Sequence, residues 1–135
     1  MQQKPLPIGY YLKLVDNCLT RGIDEIQSKH GLNRLEWQVL NSIYEKPGIL
    51  KTEILELMKP LADFQVVESI FNKFIEKNQI EIKSNMLALT TLGKELHKSC
   101  FDSQQEFRKK AITNISETEY QTTISTLQKM IANLS

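Results

Sequence analysis

Ile80-Glu81-Ile82-Lys83-Ser84-Asn85-Met86-Leu87-Ala88-Leu89 places apolar side chains symmetrically about a central Ser84-Asn85. If those two residues form a tight turn, Lys83 faces Met86, Ile82 faces Leu87 and Ile80 faces Leu89. Ile80, Ile82, Leu87 and Leu89 then share one face of a two-stranded ribbon, because side chains alternate with a period of two. Four apolar residues in register support the hairpin more than the turn does, Ser-Asn being only a fair turn sequence. The chain continues Thr90-Thr91-Leu92-Gly93-Lys94-Glu95-Leu96, where Thr90 can cap a long helix.

Upstream of the ribbon, Val67, Ile70, Phe71 and Phe74 recur at helical spacing, with Asp63 placed to cap and Asn78 to end the helix in the left-handed region. A shorter helix is predicted over Lys51–Met58, with Ile54, Leu55 and Met58 apolar, and Pro60 cannot continue it. Helix, awkward turn, amphipathic helix, ribbon, helix is the outline of a winged helix-turn-helix, a module whose usual work is gripping duplex DNA. The expected fold class is mainly α with a minor β part: a lobe over residues 33–89 carrying a very short β-ribbon wing.

Toward the N-terminus, Ile8, Leu12, Val15, Leu19 and Ile26 form a helical stripe, with Tyr11, Cys18 and Ile23 beside it. Pro7 suits the first turn and Gly31 the C-cap, while His30 reads as a C-terminal cap interaction. Asn33 and Glu36 then spell a capping box for a second helix that points Trp37, Leu40, Ile43 and Tyr44 inward and stops at Pro47-Gly48. After the ribbon, a fifth helix runs through Leu92, Leu96, Phe107 and Ile112, and its Arg108-Lys109-Lys110 run reads as solvated surface. Ser116 and Glu119 form another capping box, after which Tyr120, Ile124, Leu127, Ile131 and Leu134 recur at heptad spacing. Narrow apolar stripes at both ends could pack together within one chain but hide best against a second copy, so residues 8–31 and 91–134 are expected to be the dimerisation helices of a homodimer, within one domain over 1–135.

Composition sets limits on other readings. Hydrophobic residues make up 41% and charged residues 24% of 135, ordinary values for a globular chain, and the net charge is +1. No apolar run approaches the roughly 18 residues of a membrane span, and the N-terminus lacks a signal-peptide stretch, so no membrane association and a cytoplasmic location are expected. Cys18 and Cys100 are read as buried small hydrophobes, the other reading being a redox pair if the fold brings them together. His97 and Cys100 stand one turn apart, but a zinc site needs three or four ligands and no second cluster supplies them, so neither metal nor cofactor is expected. No glycine-rich phosphate loop, Gly-x-Ser-x-Gly or His-Glu-x-x-His is present, and the chain is not expected to be an enzyme.

The order of elements resembles the MarR family of bacterial transcription regulators over nearly the whole chain, Ile8 to Leu134. Its carriers are His30-Gly31-Leu32 with Trp37 and Leu40, then Leu89-Thr90-x-x-Gly93-x-x-Leu96, then Ser116-x-x-Glu119. The resemblance implies a homodimeric repressor whose terminal helices intertwine, holding two lobes over a palindromic site and released by small, frequently aromatic ligands or by oxidation. The chain also departs from the family. The wing stretch Ile82-Lys83-Ser84-Asn85-Met86 lacks the Asp-x-Arg motif, Pro60 sits in a longer turn, and Gln65-Val66-Val67-Glu68-Ser69 stands where small hydroxyl residues and an arginine are usual. The place of the peroxide-sensing cysteine corresponds to Gly9, so no redox sensor is inferred.

Between Leu50 and Asn85 five lysines stand against six acids, a formal charge of −1. Duplex binding depends largely on neutralising phosphates, so modest affinity is expected. Gln65, Ser69, Asn72 and Lys73 are the residues expected to reach the major groove, with Thr52 and Lys83 toward phosphates. Gln and Asn suit adenine edges, favouring an A·T-rich half-site. A small aromatic ligand would find walls in Tyr10, Tyr11, Trp37 and Tyr44, which could equally be core. The alternative reading is a winged-helix protein-interaction scaffold, with Phe64 and Val66 beside Glu68 as its contact patch.

Overall fold

Backbone hydrogen bonding arranges the chain as α1 (Ile8–Lys29), α2 (Arg34–Glu45), β1 (Ile49–Leu50), α3 (Lys51–Met58), α4 (Phe64–Glu76), β2 (Ile80–Lys83), β3 (Met86–Leu89), α5 (Thr91–Ala111) and α6 (Glu117–Leu134). This is a computed structural model, and it describes residues 4–135. The chain divides into two units, Met1–Gln104 and Gln105–Ser135.

In the first unit the predicted hairpin register holds, with Ile80 opposite Leu89, Ile82 opposite Leu87 and Lys83 opposite Met86. Ser84 and Asn85 both take positive φ, 51° and 63°, the conformation a two-residue turn needs to match strand twist. Ile80, Leu87 and Leu89 are buried as expected, whereas Ile82 is exposed. The sheet has a third strand that sequence reading overlooked. β1 pairs antiparallel with β3, giving the order β1-β3-β2. Two residues are too few to show periodicity, and the preceding Pro47-Gly48 reads only as a turn. Gly48 at φ 86° then donates its N–H to Leu87 O at 2.8 Å.

The core gathers Val39, Leu40 and Ile43 of α2, Ile54 and Met58 of α3, the full predicted stripe Val67, Ile70, Phe71 and Phe74 of α4, and the sheet residues above. Asn33 caps α2 as read: its Oδ1 accepts from Glu36 N, and Glu36 Oε1 accepts from Asn33 N, both at 2.8 Å. His30 is the C-cap of α1, with Nδ1 2.9 Å from Ile26 O. Asp63 holds the N-cap position of α4 in extended conformation but makes no side-chain cap bond, and Asn78 has φ 56°.

Four expectations are corrected. Pro7 is the N-cap of α1 rather than part of its first turn. Tyr44 is 53% exposed, not inward. Cys18 is exposed, and only Cys100 is buried. On α5 Leu96 packs against the core and Phe107 is half-buried, but Leu92 is exposed, Ile112 lies beyond the helix, and the fully buried residues are Gly93, His97, Cys100 and Gln104. An apolar stripe is an incomplete guide there, because that face carries polar groups with partners of their own. His97 Nε2 lies 2.8 Å from Asn41 Oδ1, and the Gln104 amide donates to Cys100 Sγ at 3.2 Å.

The second unit holds the last turns of α5, a link with Asn114 at φ 63°, and α6. Ser116 and Glu119 exchange the reciprocal 3.0 Å bonds of the predicted capping box. No residue of α6 is buried; along its seam Tyr120, Ile124, Ile131 and Leu134 are exposed and Leu127 is half-buried. No helix among the described residues is long and apolar enough to cross a membrane.

Candidate nucleic-acid interface

The turn between α3 and α4 is knitted by one carbonyl, since Met58 O accepts from both Leu61 N and Ala62 N at 2.8 and 2.9 Å. Pro60 fits there because a residue without an N–H loses nothing in a turn whose donors are its neighbours. α4 buries its apolar stripe and leaves Gln65, Ser69 and Asn72 exposed on the opposite side, four and three residues apart and therefore on one face. An open groove of about 420 Å³ runs along that face, from Phe64 past Gln65, Ser69 and Asn72 to Glu76.

Charge is disposed differently from the sequence count. Lys73 donates to Glu36 Oε2 at 2.5 Å across 37 residues of chain. The Glu36 side chain is only 7% exposed, and its other oxygen caps α2. Lys51 pairs with Glu68 at 2.7 Å and lies 5.8 Å over the Phe71 ring. Lys46 pairs with Glu53 at 2.6 Å; that bond, and then the Leu50 N–H, hold the Glu53 carboxyl below its ordinary range. Lys59 has only a loose 3.9 Å partner in Glu56. Among the described residues, Lys77 and Lys83 have no ion-pair partner, and Lys83 is exposed at the end of the wing beside the Ser84-Asn85 turn. Thr52 is exposed in the first turn of α3.

The wing is fastened at both ends. Lys51 N donates to Asn85 O at 2.9 Å. At the other end Thr90 N donates to Gln79 O, the Thr90 hydroxyl donates to Asn78 O at 2.6 Å, and its Oγ1 accepts from Gly93 N at 3.1 Å. A Cβ on Gly93 would stand 2.0 Å from Gln79 O. The Leu89-Thr90-x-x-Gly93 pattern is therefore a junction locking the end of α4 to the start of α5.

The aromatic candidates fall into two groups. Tyr10 and Tyr11 meet edge to face at 5.9 Å, both exposed at the start of α1, and Leu6 N donates to the Tyr11 hydroxyl at 3.2 Å. Trp37 and Tyr44 instead stack on His97, at 4.9 and 3.8 Å between centroids, with Phe101 at 5.9 Å on the same ring. Burial pushes the His97 pKa below its ordinary value, and Glu45 opposes that shift more weakly. Sequence reading weighed His97 only as a metal ligand and missed both its role in the stack and the Glu36–Lys73 pair. The spacing of Glu36 from Asn33 pointed to the cap, but nothing local pointed to α4.

A helix-turn-helix beside a three-stranded sheet, opening a polar helix face to solvent, defines the winged helix-turn-helix class. No protein-family model matches the sequence, and no curated protein matches it. Solved structures do. The chain is similar to MepR, a transcription regulator of the Staphylococcus aureus multidrug efflux pump MepA, at TM-score 0.78 and 16% identity over 96% of this chain and 100% of that one. It is similar to a Mycobacterium tuberculosis MarR-family protein in complex with DNA, at TM-score 0.73 and 18% identity over 93% and 98%. The reduced form of E. coli MarR matches at TM-score 0.70 and 19% identity over 94% and 95%. At these identities the likeness is one of fold, and the fold is that of MarR-family proteins.

Proposed function

We propose that the chain is a DNA-binding transcription regulator of MarR type, acting as a homodimer that represses by occupying its operator. The observation that carries this reading is the α4 face. Gln65, Ser69 and Asn72 stand exposed in a row over a buried apolar stripe, on a helix held by the turn, the wing and the Thr90 junction. Amide side chains presented from such a helix fit base edges in the major groove, adenine above all. Exposed apolar stripes on α1 (Ile8, Leu12, Val15, Leu19) and α6 (Tyr120, Ile124, Ile131) support association with a second copy. A small aromatic ligand would stack on the open side of Tyr44, tuning DNA affinity from the His97 ring stack; thermal-shift screening with aromatic acids tests that part. The deciding experiment is selection from a random duplex library at low salt, read by fluorescence anisotropy. Enrichment of an A·T-rich palindrome is the expected result, and absence of any bound duplex overturns the reading.

One observation favours the scaffold alternative. Leu57, Leu61 and Phe64 are 60%, 55% and 61% exposed around the α3–α4 turn, an apolar cluster suited to a protein partner. Failure to select DNA, together with loss of a partner on Phe64→Ser, would establish that alternative.

A further inference from the structure

The two ion pairs on α4 take its nearest cations out of play. Lys73 lies on the same helix as the polar row, one residue past Asn72, and is the place where a phosphate contact would be sought. Its ammonium is instead directed to Glu36, at the first turn of α2. Glu36 is buried, and of its two oxygens one is committed to the α2 cap and the other to Lys73. The Lys73 side chain remains 41% exposed and lines the groove along α4. On the other flank Glu68 holds Lys51. Among the described residues, Lys77 at the C-cap of α4 and Lys83 on the wing have no ion-pair partner.

We infer that Glu36 is a positioning residue for DNA recognition: it sequesters Lys73 from the phosphates, so that α4 reads its site with neutral side chains while the wing and the end of α4 supply the phosphate contacts. The inference deepens the DNA-binding reading above and rests on it. Its physical basis is that a carboxylate already out of water is a stronger and less screened partner than a phosphate across solvent. A Lys73 freed from that carboxylate would add a sequence-independent contact, raising affinity for every duplex and lowering the ratio of specific to nonspecific binding.

The test measures duplex affinity against salt for the full-length wild type, Lys73→Met, Glu36→Gln, the double variant and Lys83→Met. Glu36→Gln keeps an oxygen for the Asn33 N–H, so the α2 cap survives. Each phosphate contact contributes about 0.9 to the slope of log affinity on log salt. Lys73→Met is expected to leave the wild-type slope unchanged, Glu36→Gln to steepen it by about 0.9, and the double variant to return it. Lys83→Met is expected to flatten it by the same amount. A flatter slope on Lys73→Met alone, or no change on Glu36→Gln, overturns the inference while leaving the DNA reading intact. A wild type that binds no duplex overturns that reading, and the inference with it. A second measurement needs no variant: the side-chain ammonium resonance of Lys73, followed during titration with duplex, should stay in place while that of Lys83 shifts, and a shift at Lys73 refutes sequestration.

Discussion

Gly93 shows how a single atom can decide a junction. With the Gln79 carbonyl 2.0 Å from where a Cβ would stand, the start of α5 approaches the α4–β2 turn as closely as backbone allows. Gly93→Ala must therefore push α5 or the turn aside, and overpacking of this kind costs about 1–3 kcal/mol; urea denaturation followed by circular dichroism measures it. His97 makes the opposite demand, for neutrality. Burial lowers its folded pKa, so the unfolded chain takes up the proton more readily. The stabilisation is present above the unfolded value, about 6.5, and is lost as pH falls from there through the lower folded pKa. Melting temperature should drop between pH 7.5 and pH 5, and His97→Gln should flatten that drop; an unaltered pH profile in the variant would show that other groups carry it.

Among the elements, α4 is the one whose two faces have separate work. The buried face was legible in full because Val67, Ile70, Phe71 and Phe74 announce a helical period that needs no partner to be recognised. On the exposed face, Gln65→Ala or Asn72→Ala should leave the fold unchanged while reducing discrimination between sites by about 1–3 kcal/mol for each bidentate base interaction removed. Comparing selected and scrambled duplexes by anisotropy checks this, and a uniform loss on both would place these residues on phosphates instead. α5 was legible only in part, for a reason that lies in α2. Its inward residues His97 and Gln104 are polar and are tolerated in the interior because Asn41, the aromatic rings and Cys100 meet them there. A stripe defined by hydrophobicity passes over such a face. β1 was missed because a two-residue strand exists only by virtue of β3.

Over the whole molecule, the exposed apolar seams set the expected state of association. Leu127→Glu combined with Ile131→Glu should convert a dimer into a monomer in light scattering, since charged groups cannot be buried without partners. A wild type that is already monomeric at micromolar concentration would remove the dimer from the proposal. Electrostatics at this scale also qualify the lobe's formal charge. The count of −1 treats every lysine and acid between Leu50 and Asn85 as free, whereas Lys51 is held by Glu68 within that stretch, and Lys73 and Glu53 are held by Glu36 and Lys46 outside it. The field a duplex meets is thus set by the few unpaired groups rather than by the sum.

The sequence by itself determined the order of the six helices and the hairpin, the extent of α3 at about Lys51–Met58, the hairpin register, the α2 and α6 capping boxes and the buried stripe of α4. All of these rest on interactions within a turn or between adjoining strands, whose spacing is written in the chain. Only the tertiary structure decided that Lys73 belongs to Glu36 at a separation of 37 residues and His97 to Asn41 at 56. It also decided that β1 completes the sheet and that Gly93 touches Gln79. Those pairings depend on how helices pack, and packing brings together residues that no local period relates.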